Sequence, residues 1–134
     1  MSSTTPASEY IFLFRGVHWD KGLSPEQLQH VMGQLVGWFD ALHQQGKVKS
    51  GHPLGDESTT VEGRRGRMIA DGPFVESKEA VGGYLVVQAK DLEDAVAIAR
   101  SCPNLDYGTS IEVRPLLEEC PVFRRAKEIL ASAA

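Results

Sequence analysis

Tyr10-Ile11-Phe12-Leu13-Phe14, an unbroken run of aromatic and branched side chains, limits the folds open to this chain more than any other stretch. Successive side chains of a strand point to opposite faces, so a strand that is apolar at every position has no face to show to water. The run reads as a first strand buried on both faces, and the sheet that holds it must be covered on both sides. At 134 residues the chain has the size of one domain with a real core.

The rest of the pattern supplies one of the two covers. Ser24-Pro25-Glu26-Gln27 is a strong helix start: serine caps, proline takes the first helical position, and Gln27 reaches back as in a capping box. Leu28, Val31, Met32, Leu35, Phe39 and Leu42 follow at helical spacing, and Gly46 suits the left-handed residue that ends a helix. Lys47 to Leu54 reads as a second strand. Thr59-Thr60-Val61 and Arg67-Met68-Ile69-Ala70 read as hairpin arms around Gly63-Arg64-Arg65-Gly66. Tyr84-Leu85-Val86-Val87 is an interior strand, entered through Gly82-Gly83 at a bend or bulge. Asp91 caps a second helix with Leu92, Ala95, Val96 and Ala99 on its buried face, and Cys102-Pro103-Asn104 stops it. Ile111-Glu112-Val113-Arg114 is the last strand, and Pro121 opens a terminal helical segment.

This order is the split βαβ arrangement of a ferredoxin-like α+β sandwich, an antiparallel sheet with two helices on one face. The other face needs the second cover, and a second copy of the same sheet provides it. A two-fold homodimer burying Val86, Ile111 and Val113 is the expectation. The expected organisation is a short disordered lead-in over residues 1–9, one domain over 10–116 and a helical extension over 117–134.

A formal net charge of −4 argues against a nucleic-acid surface, and Arg64, Arg65 and Arg67 read as a solvated hairpin tip. No apolar run approaches the roughly 20 residues of a membrane span, and the first residues lack the basic and apolar regions of a signal peptide. The cytoplasm is the default location. Cys102 and Cys120 stand 18 residues apart and read as inert free thiols. The histidines show no ligand spacing, so no metal and no cofactor is expected.

Chemistry concentrates after the hairpin. In Asp71-Gly72-Pro73-Phe74 a tight turn fixes a carboxylate at a strand end, with Glu76, Lys78 and Glu79 close behind. Asp71 reads either as a general base or as an acceptor that pins the turn. Lys78 and Glu76 are candidates to hold and position an unknown small molecule, and otherwise form an exposed charged loop. His18, after the first strand, and His52, in Gly51-His52-Pro53, reach Asp71 if these loops share one end of the sheet. Tyr10 and Phe12, with Phe14, would then floor the pocket.

The stretch from Asp71-Gly72-Pro73-Phe74 through Glu76, Lys78-Glu79 and Gly82-Gly83-Tyr84 resembles the signature of the YCII-related family, specifically its DGPF branch, over roughly residues 10–116. The resemblance implies a dimeric α+β barrel, with Asp71 as the proposed functional residue and Lys78-Glu79 matching the family's Lys-Glu pair. The wider family also carries a histidine on the first helix, proposed to pair with the aspartate. Here that position falls around Leu35 in the apolar stripe, with His43 at its flank and His30 on the solvent side, so the dyad does not carry over. The superfamily includes cofactor-free oxygenases, isomerases and elimination enzymes, which implies acid–base work on a small molecule. DGPF-type domains also recur beside or fused to sigma-factor-like proteins, which implies the alternative of a non-catalytic regulatory module.

Overall fold

A computed structural model describes residues 8–63, 68–71 and 80–133, with positions 62 and 68–71 as backbone path alone. The expected lead-in lies largely outside the described residues, and strand β1 (Glu9–Arg15) begins at its last position. Helix α1 (Pro25–Gln44) opens on the full capping box: Ser24 Oγ accepts from the Gln27 N–H at 3.2 Å, and Gln27 Oε1 accepts from the Ser24 N–H at 2.9 Å. Then come β2 (Val48–Pro53), β3 (Thr59–Glu62), β4 (Met68–Asp71) and β5 (Val81–Gln88). Helix α2 (Leu92–Arg100), a short 3-10 helix at Pro103–Tyr107, β6 (Ser110–Pro115) and α3 (Pro121–Ala133) complete the chain.

The main sheet has the order β2-β5-β1-β6 with every neighbouring pair antiparallel, and β3 and β4 pair separately as a hairpin. This is the ferredoxin-like α+β arrangement expected from the segment order. Register decides which residues face the helices. Phe12 lies opposite Leu85 and Val113, Tyr10 opposite Val87, and Phe14 opposite Gly83 and Ile111. These side chains pack with Trp38 and Leu42 of α1 and with Ala95, Ile98 and Ala99 of α2 into one core. Phe12 and Val87 are fully buried, which contributes about 1.5–3 kcal/mol for each such side chain. Phe12, Phe14, Trp38 and Phe39 form a chain of edge contacts with centroids 5.1–6.5 Å apart. Trp38 Nε1–H donates to Ser101 Oγ at 2.8 Å and Ser101 Oγ–H donates to the Ile98 carbonyl at 2.7 Å, which ties α1 to the end of α2.

Three sequence expectations need correction. Met32, expected in the α1 stripe, is exposed, and Val31, Trp38 and Leu42 are the buried positions. Leu92 is half exposed because it is the first residue of α2, and Ile98 takes its place on the buried face. Val86 pairs with Ile11 on the face away from the helices, whereas Ile111 and Val113 pack against the helix-side core. The three therefore do not share one surface.

The outer face carries Ile11, Leu13 and Tyr84, all partly exposed, and Val86, which is buried. Arg15 and Glu112 form an ion pair there at 2.9 Å, and hydrogen bonding from Arg15 holds the Glu112 carboxyl below its ordinary range. Both edge strands are irregular or end in proline: the β2 register shifts between Val48 and Ser50, Pro53 ends that strand and Pro115 ends β6. Helix α3 has no buried residue, and Val122, Phe123, Ile129 and Leu130 are all exposed on it. Among the described residues no helix is long and apolar enough to cross a membrane.

Candidate functional site

The antiparallel register brings several chain segments to one end of the sheet. Arg15 at the end of β1 lies opposite Val81 at the start of β5 and Ser110 at the start of β6, and Pro53 at the end of β2 lies opposite Gly83. The loop after β1, the points where the chain leaves the sheet at Pro53 and re-enters it at Val81, and the turn before β6 therefore meet there. A cleft of about 770 Å³ opens at this end. That size suits a small organic molecule.

Its apolar wall comes from Phe14, Val48 and Leu85 of the sheet and from Leu35 and Phe39 of α1. Leu35, Phe39 and His43 recur every four residues, so they stand in one row along the helix and all line the cleft. Val17 and Trp19 contribute from the loop after β1, and Asn104 and Thr109 from the segment around the 3-10 helix. Arg15, His43, Lys49, His52, Asp56 and Tyr84 are the charged or titratable residues of its lining. Gly51 supplies space: a Cβ on it would stand 2.9 Å from both the Tyr84 carbonyl oxygen and Leu85 Cδ1. Gly16 has φ +83° and brings the end of β1 against Gly108, which sets the 3-10 segment at the mouth of the cleft.

The sequence candidates distribute unevenly around this cleft. His52 lines it and lies opposite Tyr84 with ring centroids 5.8 Å apart. His18 is exposed in the turn after β1, outside the lining, while its neighbour Trp19 is part of the wall. Tyr10 and Phe12 sit in the core, 4% and 0% exposed, and of the β1 aromatics only Phe14 reaches the cleft. Alternation along β1 explains part of this and depth the rest: all three face the helices, but only the last lies at the open end. Asp71 ends β4, with its backbone opposite Thr59. Its carboxylate, with Glu76, Lys78 and Glu79, lies outside the described residues.

Asn104, read from the sequence only as part of the stop after the second helix, and Thr109 carry no sequence signal as site residues. Both are buried, and neither Asn104 Oδ1 nor Thr109 Oγ1 has a hydrogen-bond partner among the described residues. No group of His, Cys, Asp and Glu among the described residues is arranged to hold a metal ion. Cys102 is buried, and burial pushes its thiol up from the ordinary value, while Cys120 is exposed.

A four-stranded antiparallel sheet backed by α1 and α2, with a cleft between α1 and the strand ends, defines an α+β protein of ferredoxin-like build. The chain belongs to the YCII-related family, whose domain model matches residues 10–119. An uncharacterised protein of Rhizobium meliloti (strain 1021) is 40% identical over 50 residues, covering 37% of this chain and 40% of the relative. This chain thus matches well under half the length of that curated protein. Where the wider family is expected to carry its helical histidine, Leu35 stands in the cleft wall.

Proposed function

We infer that this YCII-related protein binds a small, mainly apolar molecule in the cleft between α1 and the ends of β1, β2 and β5. The observation that carries the reading is the cleft itself, lined by the apolar Phe14, Leu35 and Phe39 together with His43, His52 and Lys49. Apolar walls with few polar groups are the usual form of a small-molecule site. The excursion that includes Asp71 leaves the main sheet at Pro53 and returns at Val81, both at this end. In this proposal Asp71 closes the site from the hairpin, with Glu76 and Lys78 at its rim, and His52 is the nearer imidazole candidate and His18 the outer one. Acid–base catalysis by Asp71 is the finer form of the proposal. It predicts that Asp71→Asn removes turnover and leaves the melting temperature unchanged, whereas a turn-pinning Asp71 loses about 0.5–2 kcal/mol of stability on the same change.

A library of small aromatic and enolisable compounds, carboxylic acids and neutral alcohols alike, observed by amide NMR, tests the binding reading. Ligands that occupy the cleft shift the amides of Gly51, His52, Gly83 and Tyr84 together. The reading fails if every compound at millimolar concentration leaves these amides in place.

The same proposal pairs two copies through the outer sheet face, where Ile11, Leu13 and Tyr84 are partly exposed on the side away from α1 and α2, and Val86 is already buried within the chain. The second reading is a non-catalytic interaction module linked to sigma-factor-dependent transcription. The exposed apolar residues of α3 favour it, since such a stripe is a common docking element. A chain that binds none of these compounds yet changes its partners when α3 is removed belongs to this second class.

A further inference from the structure

We propose that Asn104 and Thr109 form the polar end of the cleft and select a neutral ligand by accepting a hydrogen bond from its O–H or N–H group. The proposal rests on the reading of the cleft as a binding site and names the chemistry of its occupant. Asn104 is 6% and Thr109 8% exposed, and both residues line the cleft. Their main chains are already engaged: the Asn104 carbonyl accepts from the Gly108 and Thr109 N–H groups, which holds the two residues side by side. Their side-chain oxygens are not, because Asn104 Oδ1 and Thr109 Oγ1 are closed to water and have no partner among the described residues.

Native chains keep few such atoms, because a buried acceptor left unmet is costly. Where two occur together in the wall of a cleft, a ligand donor is the group that would satisfy them. The terminal torsion of an asparagine is broad, so Oδ1 can turn to a donor at the wall, and rotation of the threonine hydroxyl swings its hydrogen aside and leaves an Oγ1 lone pair for the same donor. Neither carries charge, and Oδ1 repels an anion, so the pair favours a neutral hydroxyl or amino group. The rest of the molecule lies along Phe14, Leu35 and Phe39, which asks for a ring or a compact hydrocarbon body.

The full chain is titrated with 2-naphthol and with 2-methoxynaphthalene, which share a ring system but differ in the donor. The expected result is binding about tenfold tighter for 2-naphthol, with the Asn104 side-chain amide signals shifting on addition. Asn104→Leu and Thr109→Val each narrow the preference without weakening 2-methoxynaphthalene. Equal affinity of the two probes for the native chain overturns the proposal while leaving the cleft as a binding site. So does a preference that survives in Thr109→Val and in Asn104→Leu; if the leucine variant does not fold, the valine variant and the native comparison decide alone. Failure of both probes to move the Gly51 and Gly83 amides removes the cleft reading and this proposal together.

Discussion

Gly16 holds the closest backbone approach at the site: its φ is +83°, and a Cβ there would meet the Gly108 carbonyl oxygen at 2.4 Å. An L side chain pays about 1–2 kcal/mol for the left-handed conformation alone, and the collision adds to it. Gly16→Ala is therefore expected to lower stability by more than about 2 kcal/mol, read as a lower urea midpoint. The same change should displace the turn that carries Thr109. At Glu112 the cause is electrostatic. The hydrogen bond from Arg15 stabilises the carboxylate in the folded chain, so its stabilising contribution is present above the unfolded carboxyl's range. That contribution is lost as pH falls through the lowered folded value. In Arg15→Met the Glu112 carboxyl should titrate higher by carbon NMR, and the acid limb of stability should flatten. An unchanged titration would mean that the pair is not kept in solution.

Helix α1 is stable despite its own composition. Gly33 and Gly37 lie inside it with open space where a Cβ would be, and each costs about 0.5–1 kcal/mol relative to alanine. Gly33→Ala and Gly37→Ala together should raise stability by about 1–2 kcal/mol in chemical denaturation. Ser24→Ala should lower it by about 1 kcal/mol through loss of the cap. This helix was legible because its signals are local: Ser24, Pro25 and Gln27 sit within one turn, and Val31, Leu35 and Leu42 repeat along one face. The same holds for β1 and β5, whose apolar runs declare a sheet interior. The side chosen by Ile111 and Val113 was not legible, since it depends on pairing with Phe14 and Phe12 and a one-residue shift reverses it. The cleft was legible only in part. His52 and Phe14 followed from strand ends, but Asn104 and Thr109 have no local pattern and reach the wall through the Gly16–Gly108 contact.

On the scale of the whole molecule, the face carrying Ile11, Leu13, Tyr84 and Val86 makes self-association testable. The native chain should sediment as two copies at micromolar concentration, and Leu13→Glu, placed opposite Glu112, should sediment as one with its helical circular dichroism intact. A native chain that sediments as a monomer removes the stacked pair. Because no side chain of α3 is buried, a chain ending at Leu116 should keep the core's melting temperature to within a few degrees. The edges of the main sheet carry a separate consequence. An outer strand is a template on which further strands can be laid, and regular edges invite fibres. Along β2 the shift near Lys49 breaks the ladder and Pro53 offers no N–H, while Pro115 does the same at the end of β6. Lateral growth is thus hindered at both margins, and a concentrated solution of the folded chain should stay clear of amyloid-type polymer.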